Sequence, residues 1–490
     1  MNKQELLTGI DHVIAEGPYQ DSWDSLCKYT PPKWYAGAKF GIFIHWGVYS
    51  VPAFGNEWYP RNMYIKGSRE YEHHVKTWGP QDKFGYKDFI PLFKAERFDP
   101  REWMELFKEA GARYVMPVAE HHDGFSMYRH GFSRWNAAEM GPKRDVLGEL
   151  KQAADELGLV FSVSFHRAEH IWFFNGGKAY PCDVTDGAYE DFYEKQQDYA
   201  VENSHDIYSL PGPSKEHCED WLVRICDLVD RYRPRIVWFD WWIHNVGWKP
   251  YLKKFAAYYY NRAAQWGAEV AINYKYNAYA YGSAVYDIER GQLPGINPRL
   301  WQTDTAVAKN SWGYTENNDF KNPVDIVGDL IDIVSKNGVL LLNIGPRPDG
   351  TITGEDRGVL LDIGGWLKKN GEGIYGTTYW QWYGEGPTRV IDGPFKDTDR
   401  GSFTARDFRF TYKEGTLYAF VMKYPKDGKI IIPSLKRCSG TGSGDFDIQS
   451  VRVLGYDAEV SFSRNTEALS LEVKGLIDTE YPVGFAIRLE

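Results

Sequence analysis

Short apolar runs alternate with amphipathic segments from about residue 35 to residue 380. Several runs are apolar at consecutive positions, as parallel strands that are covered on both faces are. Repeated strand–helix units favour a closed barrel over an open three-layer sheet. We therefore predict a (β/α)8-like TIM barrel. The predicted strands are Lys39–His45, Tyr114–Ala119, Val160–Phe165, Ile236–Phe239, Val270–Tyr274 and Val339–Ile344.

The helices between these strands are predicted from their apolar period and from their end signals. The clearest begins at Asp99, a suitable N-cap that is followed by Pro100 at the first helical position. Glu102, two residues after Pro100, completes a start that resembles a capping box. The other predicted helices are Asp145–Leu157, Glu216–Tyr232, Pro250–Trp266, Pro323–Lys336 and Glu355–Lys369.

The pattern changes near residue 395. Short alternating segments separated by Gly, Asp and Asn replace the strand–helix units, and this arrangement is typical of a β-sandwich. The sequence thus predicts a barrel domain over residues 1–385, with a short N-terminal extension, and a C-terminal β-sandwich domain over residues 395–490.

Composition and charge narrow the class of function. The chain has 490 residues and a net charge of −10, so it lacks the basic surface that nucleic acid requires. Neither an apolar leader nor a membrane-length apolar run is present, which predicts a cytoplasmic protein without a membrane partner. The sequence leaves open whether the chain forms a homo-oligomer. The five cysteines are scattered and predict neither disulfides nor a zinc finger: Cys27, Cys182, Cys218, Cys226 and Cys438.

Polar residues cluster at five strand ends, four of them in the strands given above and the fifth in the segment AVYDIERG. In a barrel of parallel strands these ends meet on one face, where functional side chains gather. Aromatic residues make up 16% of the chain and suit the walls of a sugar-binding cleft. We therefore predict a polar cleft with aromatic walls. The polar groups are His45 with the following Glu57 loop, Glu120 to Asp123, His166 to His170, Asp240, and Asp287 with Glu289.

Two chemistries fit such a cleft. A pair of carboxyl groups suits glycoside hydrolysis, in which one attacks the anomeric carbon and the other transfers the proton. The histidines and Asp123 instead resemble the ligands of metal hydrolases. However, adjacent His121 and His122 would point to opposite faces of a strand, and H-E-x-x-H is absent. Glycoside hydrolysis without a metal or other cofactor is the favoured hypothesis.

Seven motifs, in order along residues 30–385, resemble the α-L-fucosidases of glycoside hydrolase family 29. The resemblance implies the barrel and the trailing β-sandwich that the pattern predicts. It also implies a retaining α-L-fucosidase that removes terminal fucose from oligosaccharides or glycoconjugates through a covalent intermediate. The motifs are WYAGAKFGIFIHWGVYSVPAFGNEWYPRNMY, EHHDGFSMY, SFHRAEH, WFDWW, WQTDTAVAKNSWGY, LLLNIGPRPDGTI and WLKKNGEGIYGT.

The resemblance also implies roles for individual residues. Asp240 of WFDWW takes the place of the nucleophile, and Glu289 is our choice of acid/base, with Glu57 as the alternative. Many relatives carry an Arg near the nucleophile where this chain has Lys275, whose role therefore stays open. The residues implied to contact substrate are His45, Glu57, Trp58, His121, His122, His166 and Trp312.

Two other functions are compatible with the same fold. A catalytically silent carbohydrate-binding protein would need neither Asp240 nor a second carboxyl group, so their presence argues against it. A hydrolase for another deoxysugar or a galacto-configured sugar would share the hydroxyl contacts and differ only around C6. The sequence does not predict which linkage of fucose is cleaved.

Overall fold

The computed structural model describes residues 3–198, 208, 212–399, 401–437, 446–475 and 477–490. Nine parallel strand segments form one closed sheet, in which the first segment pairs with both the second and the ninth. Two of the segments are halves of one strand interrupted at Ser162, so the barrel has eight strands. The segments are Phe40–Ile44 (β1), Tyr114–Glu120 (β2), Val160–Phe161 (β3), Val163–Phe165 (β4), Ile236–Phe239 (β5), Ala271–Tyr274 (β6), Val285–Glu289 (β7), Trp301–Ala306 (β8) and Gly338–Ile344 (β9).

The main helices begin and end within two residues of their predicted limits. Asp99 caps its helix as predicted, since its carboxylate accepts hydrogen bonds from the amides of Arg101 and Glu102. The Glu102 side chain pairs with Arg357 instead. The helices are Lys3–Glu16 (α1), Trp23–Leu26 (α2), Lys33–Ala38 (α3), Tyr59–Asn62 (α4), Arg69–Thr77 (α5), Pro100–Glu109 (α6), Val146–Leu157 (α7), His170–Phe173 (α8), Glu190–Tyr193 (α9), Lys215–Tyr232 (α10), Lys249–Trp266 (α11), Pro323–Ser335 (α12) and Gly354–Asn370 (α13).

Two antiparallel sheets follow the barrel, in the strand orders β10-β11-β12-β17-β14 and β13-β16-β15. Their apolar faces share a core that includes Phe410, Leu469 and Ile487. β10 lies inside the range predicted for the barrel domain, yet it pairs with β11, so the C-terminal sheet begins before residue 385. The strands are Thr378–Glu385 (β10), Phe408–Lys413 (β11), Thr416–Val421 (β12), Lys429–Ile432 (β13), Ile448–Val453 (β14), Glu459–Arg464 (β15), Leu469–Lys474 (β16) and Val483–Leu489 (β17).

The C-terminal sheets pack against the barrel through both apolar and charged groups. Phe420 and Leu454 belong to the main core, and Arg409 forms a buried ion pair with Asp332 of α12. Lys336 approaches the same Asp332 at 2.6 Å, so the buried carboxylate is held by two cations. These contacts fix the C-terminal sheets against the helical wall of the barrel.

The described cysteines carry free thiols: Cys27, Cys182, Cys218 and Cys226. Cys438 lies outside the described residues. No helix in the described part of the chain is long and apolar enough to cross a membrane.

Candidate active site

A cavity of about 530 Å³ opens at the carboxyl ends of the barrel strands. The strands bring the predicted site residues together there because side chains that follow neighbouring parallel strands meet at one rim. All of the predicted residues except His166 line the cavity: His45, Glu57, Trp58, His121, His122, Asp240, Glu289 and Trp312.

Asp240 directly follows β5 and is held by two histidines. Its Oδ2 lies 3.1 Å from Nδ1 of His166 and 3.4 Å from Nε2 of His122. Burial would raise the pKa of Asp240, but the hydrogen bonds from His122 and His166 outweigh burial and hold the pKa well below its ordinary value. Asp240 is therefore a carboxylate throughout the neutral range.

His166 lies behind Asp240 rather than in the cavity wall. Burial lowers the pKa of His166 to about 4, so the ring is neutral and carries one proton. That proton sits on Nδ1, which donates to Asp240, and Nε2 accepts from the Ser164 hydroxyl at 2.9 Å. Because both ring nitrogens are used by the protein, His166 positions Asp240, and its predicted contact with substrate stays a prediction.

Glu289 ends β7 and faces the same cavity. Its Oε2 accepts a hydrogen bond from the indole of Trp241 and lies 3.3 Å from Nζ of Lys275. Burial raises the pKa of Glu289, Lys275 opposes this rise, and the charge of Asp240 adds to it. The net pKa is above the ordinary value, which favours the protonated form that an acid catalyst requires.

Glu57, the alternative acid/base, has a different setting. Its Oε2 accepts hydrogen bonds from the backbone amide of Trp312 at 2.8 Å and from the Ser311 hydroxyl at 3.2 Å. The carboxylate thus holds the loop that presents Trp312 to the cavity. Because its Oε2 is bound to this loop, Glu57 is the less suitable proton donor, and we favour Glu289.

His45 and His121 form the histidine wall of the cavity, beside Trp312. His45 bonds through Nδ1 to the side-chain oxygen of Asn343 at 2.7 Å, and Asn343 in turn donates to the Trp312 carbonyl at 2.7 Å. Nδ1 of His121 is buried and has no hydrogen-bond partner among the described residues. Burial lowers the pKa of both rings, so they are neutral groups suited to bonding sugar hydroxyls.

Some of the residues predicted for the alternative metal site are bound by other protein groups instead. Asp123 accepts from the Tyr86 hydroxyl at 2.6 Å, and the ring nitrogens of His170 face two backbone carbonyls. Within the described part of the chain, the remaining groups close enough to share a cation are His45, His121 and His166, or His122, His166 and Asp240. His166 already makes two protein hydrogen bonds in either set, which makes it a poor ligand.

Lys275 follows β6 and is the cation of the site. Its Nζ lies 2.9 Å from Asp304, 3.1 Å from Asp287 and 3.3 Å from Glu289. Burial alone would lower the pKa of Lys275, but these carboxyl groups raise it well above its ordinary value. The residue left open by the sequence therefore lies beside the candidate acid, and its charge restrains the pKa of Glu289.

We expect Lys275→Met to move the alkaline limb of the kcat/KM profile to higher pH. That limb reports deprotonation of Glu289 in the free enzyme, and removal of the neighbouring cation raises the pKa of Glu289. Lys275→Arg keeps the charge and serves as the matched control. An alkaline limb that stays in place in Lys275→Met would contradict this account.

Glu169 is a cavity residue that the site prediction omitted, although it follows the third strand of the barrel. Its side chain is buried, and Oε2 lies 3.6 Å from Nδ1 of His122 without a hydrogen-bond partner among the described residues. Burial raises the pKa of Glu169 well above its ordinary value, and the charge of Asp240 adds to the rise. A neutral carboxyl group at this point can bond a sugar hydroxyl. The sequence signal for Glu169 was its position at a strand end.

We expect Glu169→Gln to keep most of the activity and Glu169→Leu to lose about tenfold or more in kcat/KM, since an unmade buried hydrogen bond costs about 1–3 kcal/mol. Gln retains the neutral hydrogen-bonding shape, and Leu does not. Steady-state kinetics of both variants on one fucoside measures the difference. Equal activity of the two variants would show that the carboxyl group bonds nothing of importance.

Comparison with known proteins agrees with this geometry. The family described as "Alpha-L-fucosidase" matches residues 6–372, and the "Alpha-L-fucosidase C-terminal domain" matches residues 402–490. The tissue alpha-L-fucosidase of Rattus norvegicus is 30% identical over 97% of this chain and 93% of its own length. The human tissue enzyme is 29% identical over 96% of this chain and 90% of its own.

A solved structure, the alpha-fucosidase of Thermotoga maritima in complex with fucose, is 30% identical with a TM-score of 0.75. It is matched over 96% of this chain and 100% of its own. The family matches cover both the barrel with its cavity and the C-terminal sheets. The chain thus belongs to the α-L-fucosidases of glycoside hydrolase family 29, and it is a glycoside hydrolase.

Proposed function

We propose that this α-L-fucosidase is a retaining enzyme that removes terminal α-L-fucosyl residues from oligosaccharides or glycoconjugates, with Asp240 as nucleophile and Glu289 as acid/base. One observation supports this most: the two carboxyl groups face one cavity with pKa values displaced in opposite directions. Retaining glycosidases need this pair, in which one group is ionised to attack and the other is protonated to release the leaving group.

In the first step an oxygen of Asp240 attacks the anomeric carbon while the bond to the leaving oxygen breaks. Oδ2 is held by His122 and His166, which leaves Oδ1 to form the new bond. Glu289 gives its proton to the leaving oxygen and becomes a carboxylate. The products are a fucosyl ester of Asp240 and the released alcohol.

In the second step the Glu289 carboxylate takes a proton from water, and the resulting nucleophile attacks the same carbon. The bond to Asp240 breaks, and fucose leaves with the anomeric configuration of the substrate. The positive charge that develops on the sugar in both steps lies beside the Asp240 carboxylate, which stabilises it. We place the fucose methyl group against Trp312, which packs on Phe43 at 6.2 Å between ring centroids.

The test is hydrolysis of 4-nitrophenyl α-L-fucoside followed by proton NMR of the first fucose released. We expect nitrophenol release, with the α anomer of fucose formed first. The β anomer first would contradict retention, and absence of turnover would favour the carbohydrate-binding alternative.

Two controls accompany this measurement. The matched 4-nitrophenyl α-L-galactoside differs only by a hydroxyl at C6, and turnover equal to that of the fucoside would overturn the proposed specificity for the methyl group. Wild-type enzyme dialysed against a strong chelator should keep its full rate. Loss of that rate, restored by added metal, would favour the metal alternative.

A further inference from the structure

Three aromatic side chains surround the mouth of the cavity, and we name them the mouth platform: Trp241, Tyr276 and Phe395. The ring centroids of Trp241 and Phe395 are 6.5 Å apart with an angle of 16° between the rings, and Tyr276 lies 6.2 Å from Trp241. They come from three separate parts of the chain, after β5, after β6 and between β10 and β11.

Two of the three platform rings are exposed to solvent. Phe395 is 55% exposed and Tyr276 is 44% exposed, although most large apolar side chains of this chain are buried. Trp241 and Phe395 also line the cavity that holds Asp240 and Glu289. The exposed rings are thus continuous with the catalytic cavity. Exposed apolar patches of this kind often mark binding sites.

Two of the rings occupy strained backbone. Phe395 has a φ of 57° and Tyr276 a φ of 56°, in the left-handed region that bulky residues avoid. Such backbone is unfavourable and persists where the surrounding structure enforces it, often at functional sites. The strain therefore indicates that ring position here matters more than local stability.

The segment that carries Phe395 is fixed to the strand that carries Glu289. The amide of Phe395 donates to the Glu289 carbonyl at 2.9 Å, and the amide of Lys396 donates to the Arg290 carbonyl at 2.7 Å. Asp397 pairs with Lys321, which anchors the segment to the barrel. A segment beyond the barrel strands thus completes the cavity mouth.

Trp241 joins the platform to the chemistry. Its indole donates a hydrogen bond to Oε2 of Glu289, the group proposed to protonate the leaving oxygen. A sugar ring that stacks on the platform would therefore lie next to the leaving oxygen. The three platform side chains carry no formal charge, which suits a neutral ligand with an apolar face.

We propose that the mouth platform binds the pyranose ring to which the fucose is attached, by stacking the apolar face of that neutral sugar on Trp241 and Phe395. The inference rests on the proposed function and deepens it: the preferred substrate is a fucosylated oligosaccharide rather than a simple alkyl or fluoride fucoside.

The test compares kcat/KM for fucosyl disaccharides with kcat/KM for α-L-fucosyl fluoride, which has no second ring. Disaccharides of the α1,2, α1,3, α1,4 and α1,6 linkages are assayed, and the best wild-type substrate is used. We expect Phe395→Ala to lower the disaccharide-to-fluoride ratio about 3–10-fold, the magnitude of one aromatic contact. Phe395→Tyr retains a ring and should keep most of the ratio.

Two further variants separate binding from structure. Phe395→Gly removes the ring and also relieves the positive φ. It should lower the ratio as Phe395→Ala does, and it should unfold at a temperature equal to or higher than that of Phe395→Ala. Tyr281→Ala, which removes an exposed ring outside the cavity lining, should leave the ratio unchanged.

Every other outcome overturns either the inference or the proposed function. Equal loss on both substrates in Phe395→Ala would show that Phe395 only supports the Glu289 strand, and an unchanged ratio would show that the ring binds no sugar; either result overturns the inference. Wild-type enzyme that hydrolyses the fluoride but none of the disaccharides also overturns it. Failure of the wild type on the fluoride itself would instead overturn the proposed function.

Discussion

Asp240→Gly is expected to lose about 10³-fold or more of the wild-type turnover of 4-nitrophenyl α-L-fucoside, a rise of about 4 kcal/mol in the activation free energy. The variant lacks both the attacking oxygen and the negative charge beside the developing oxocarbenium ion. His122 and His166 lose their shared partner but stay buried among the other side chains of the site, so the fold should be kept. Steady-state nitrophenol release measures the loss.

Added azide distinguishes loss of the nucleophile from loss of the fold. In Asp240→Gly the vacated space admits the anion on the face from which Asp240 attacks, and β-L-fucosyl azide should form. Asp240→Asn fills that space and is the matched control that azide should not rescue. Undiminished turnover in Asp240→Gly would show that another group attacks the anomeric carbon.

Glu289→Gln is expected to lose about 10²–10⁴-fold on disaccharides, the range of general acid catalysis, and far less on α-L-fucosyl fluoride. A sugar alcohol leaves only with a proton, whereas fluoride leaves without that assistance. The measurement is the dependence of kcat/KM on the pKa of the leaving group, which should be steeper in the variant than in the wild type.

Glu57→Gln is the control for this assignment. It disturbs the hydrogen bonds to Ser311 and to the Trp312 amide, so substrate binding and turnover should fall by similar factors for all leaving groups. If Glu57→Gln showed the steeper dependence and Glu289→Gln lost equally on all substrates, the acid/base would be Glu57.

The fold could be predicted where the signals are local. β1 and β2 are runs of apolar residues, and α6 and α12 have N-caps followed by Pro, so their limits follow from a few neighbouring residues. The strand β8 was not predicted because its sequence, WQTDTA, is polar. Its Gln302 points into the barrel and is satisfied by Tyr35, Tyr114 and Asp287, which belong to other helices and strands.

The residues of the site also differ in whether a local sequence signal marks them. Asp240 and Glu289 stand at strand ends, and the ends of parallel barrel strands meet at one rim, so their proximity could be predicted from the sequence. Asp304 and Phe395 also line the cavity, yet nothing local marks them. Phe395 reaches the rim only through the backbone hydrogen bonds between its segment and β7, a tertiary contact that no motif encodes.

The central claim, that Asp240 forms a covalent bond with fucose, is tested most directly by trapping the intermediate. Fluorine at C2 of 2-deoxy-2-fluoro-α-L-fucosyl fluoride disfavours the oxocarbenium-like transition states, and the good leaving group lets the intermediate form faster than it is hydrolysed. Mass spectrometry of the inactivated enzyme should show one fluorofucosyl group, carried by the peptide that contains Asp240. Label on another carboxyl group, or an unlabelled enzyme that still hydrolyses fucosides, would contradict the account.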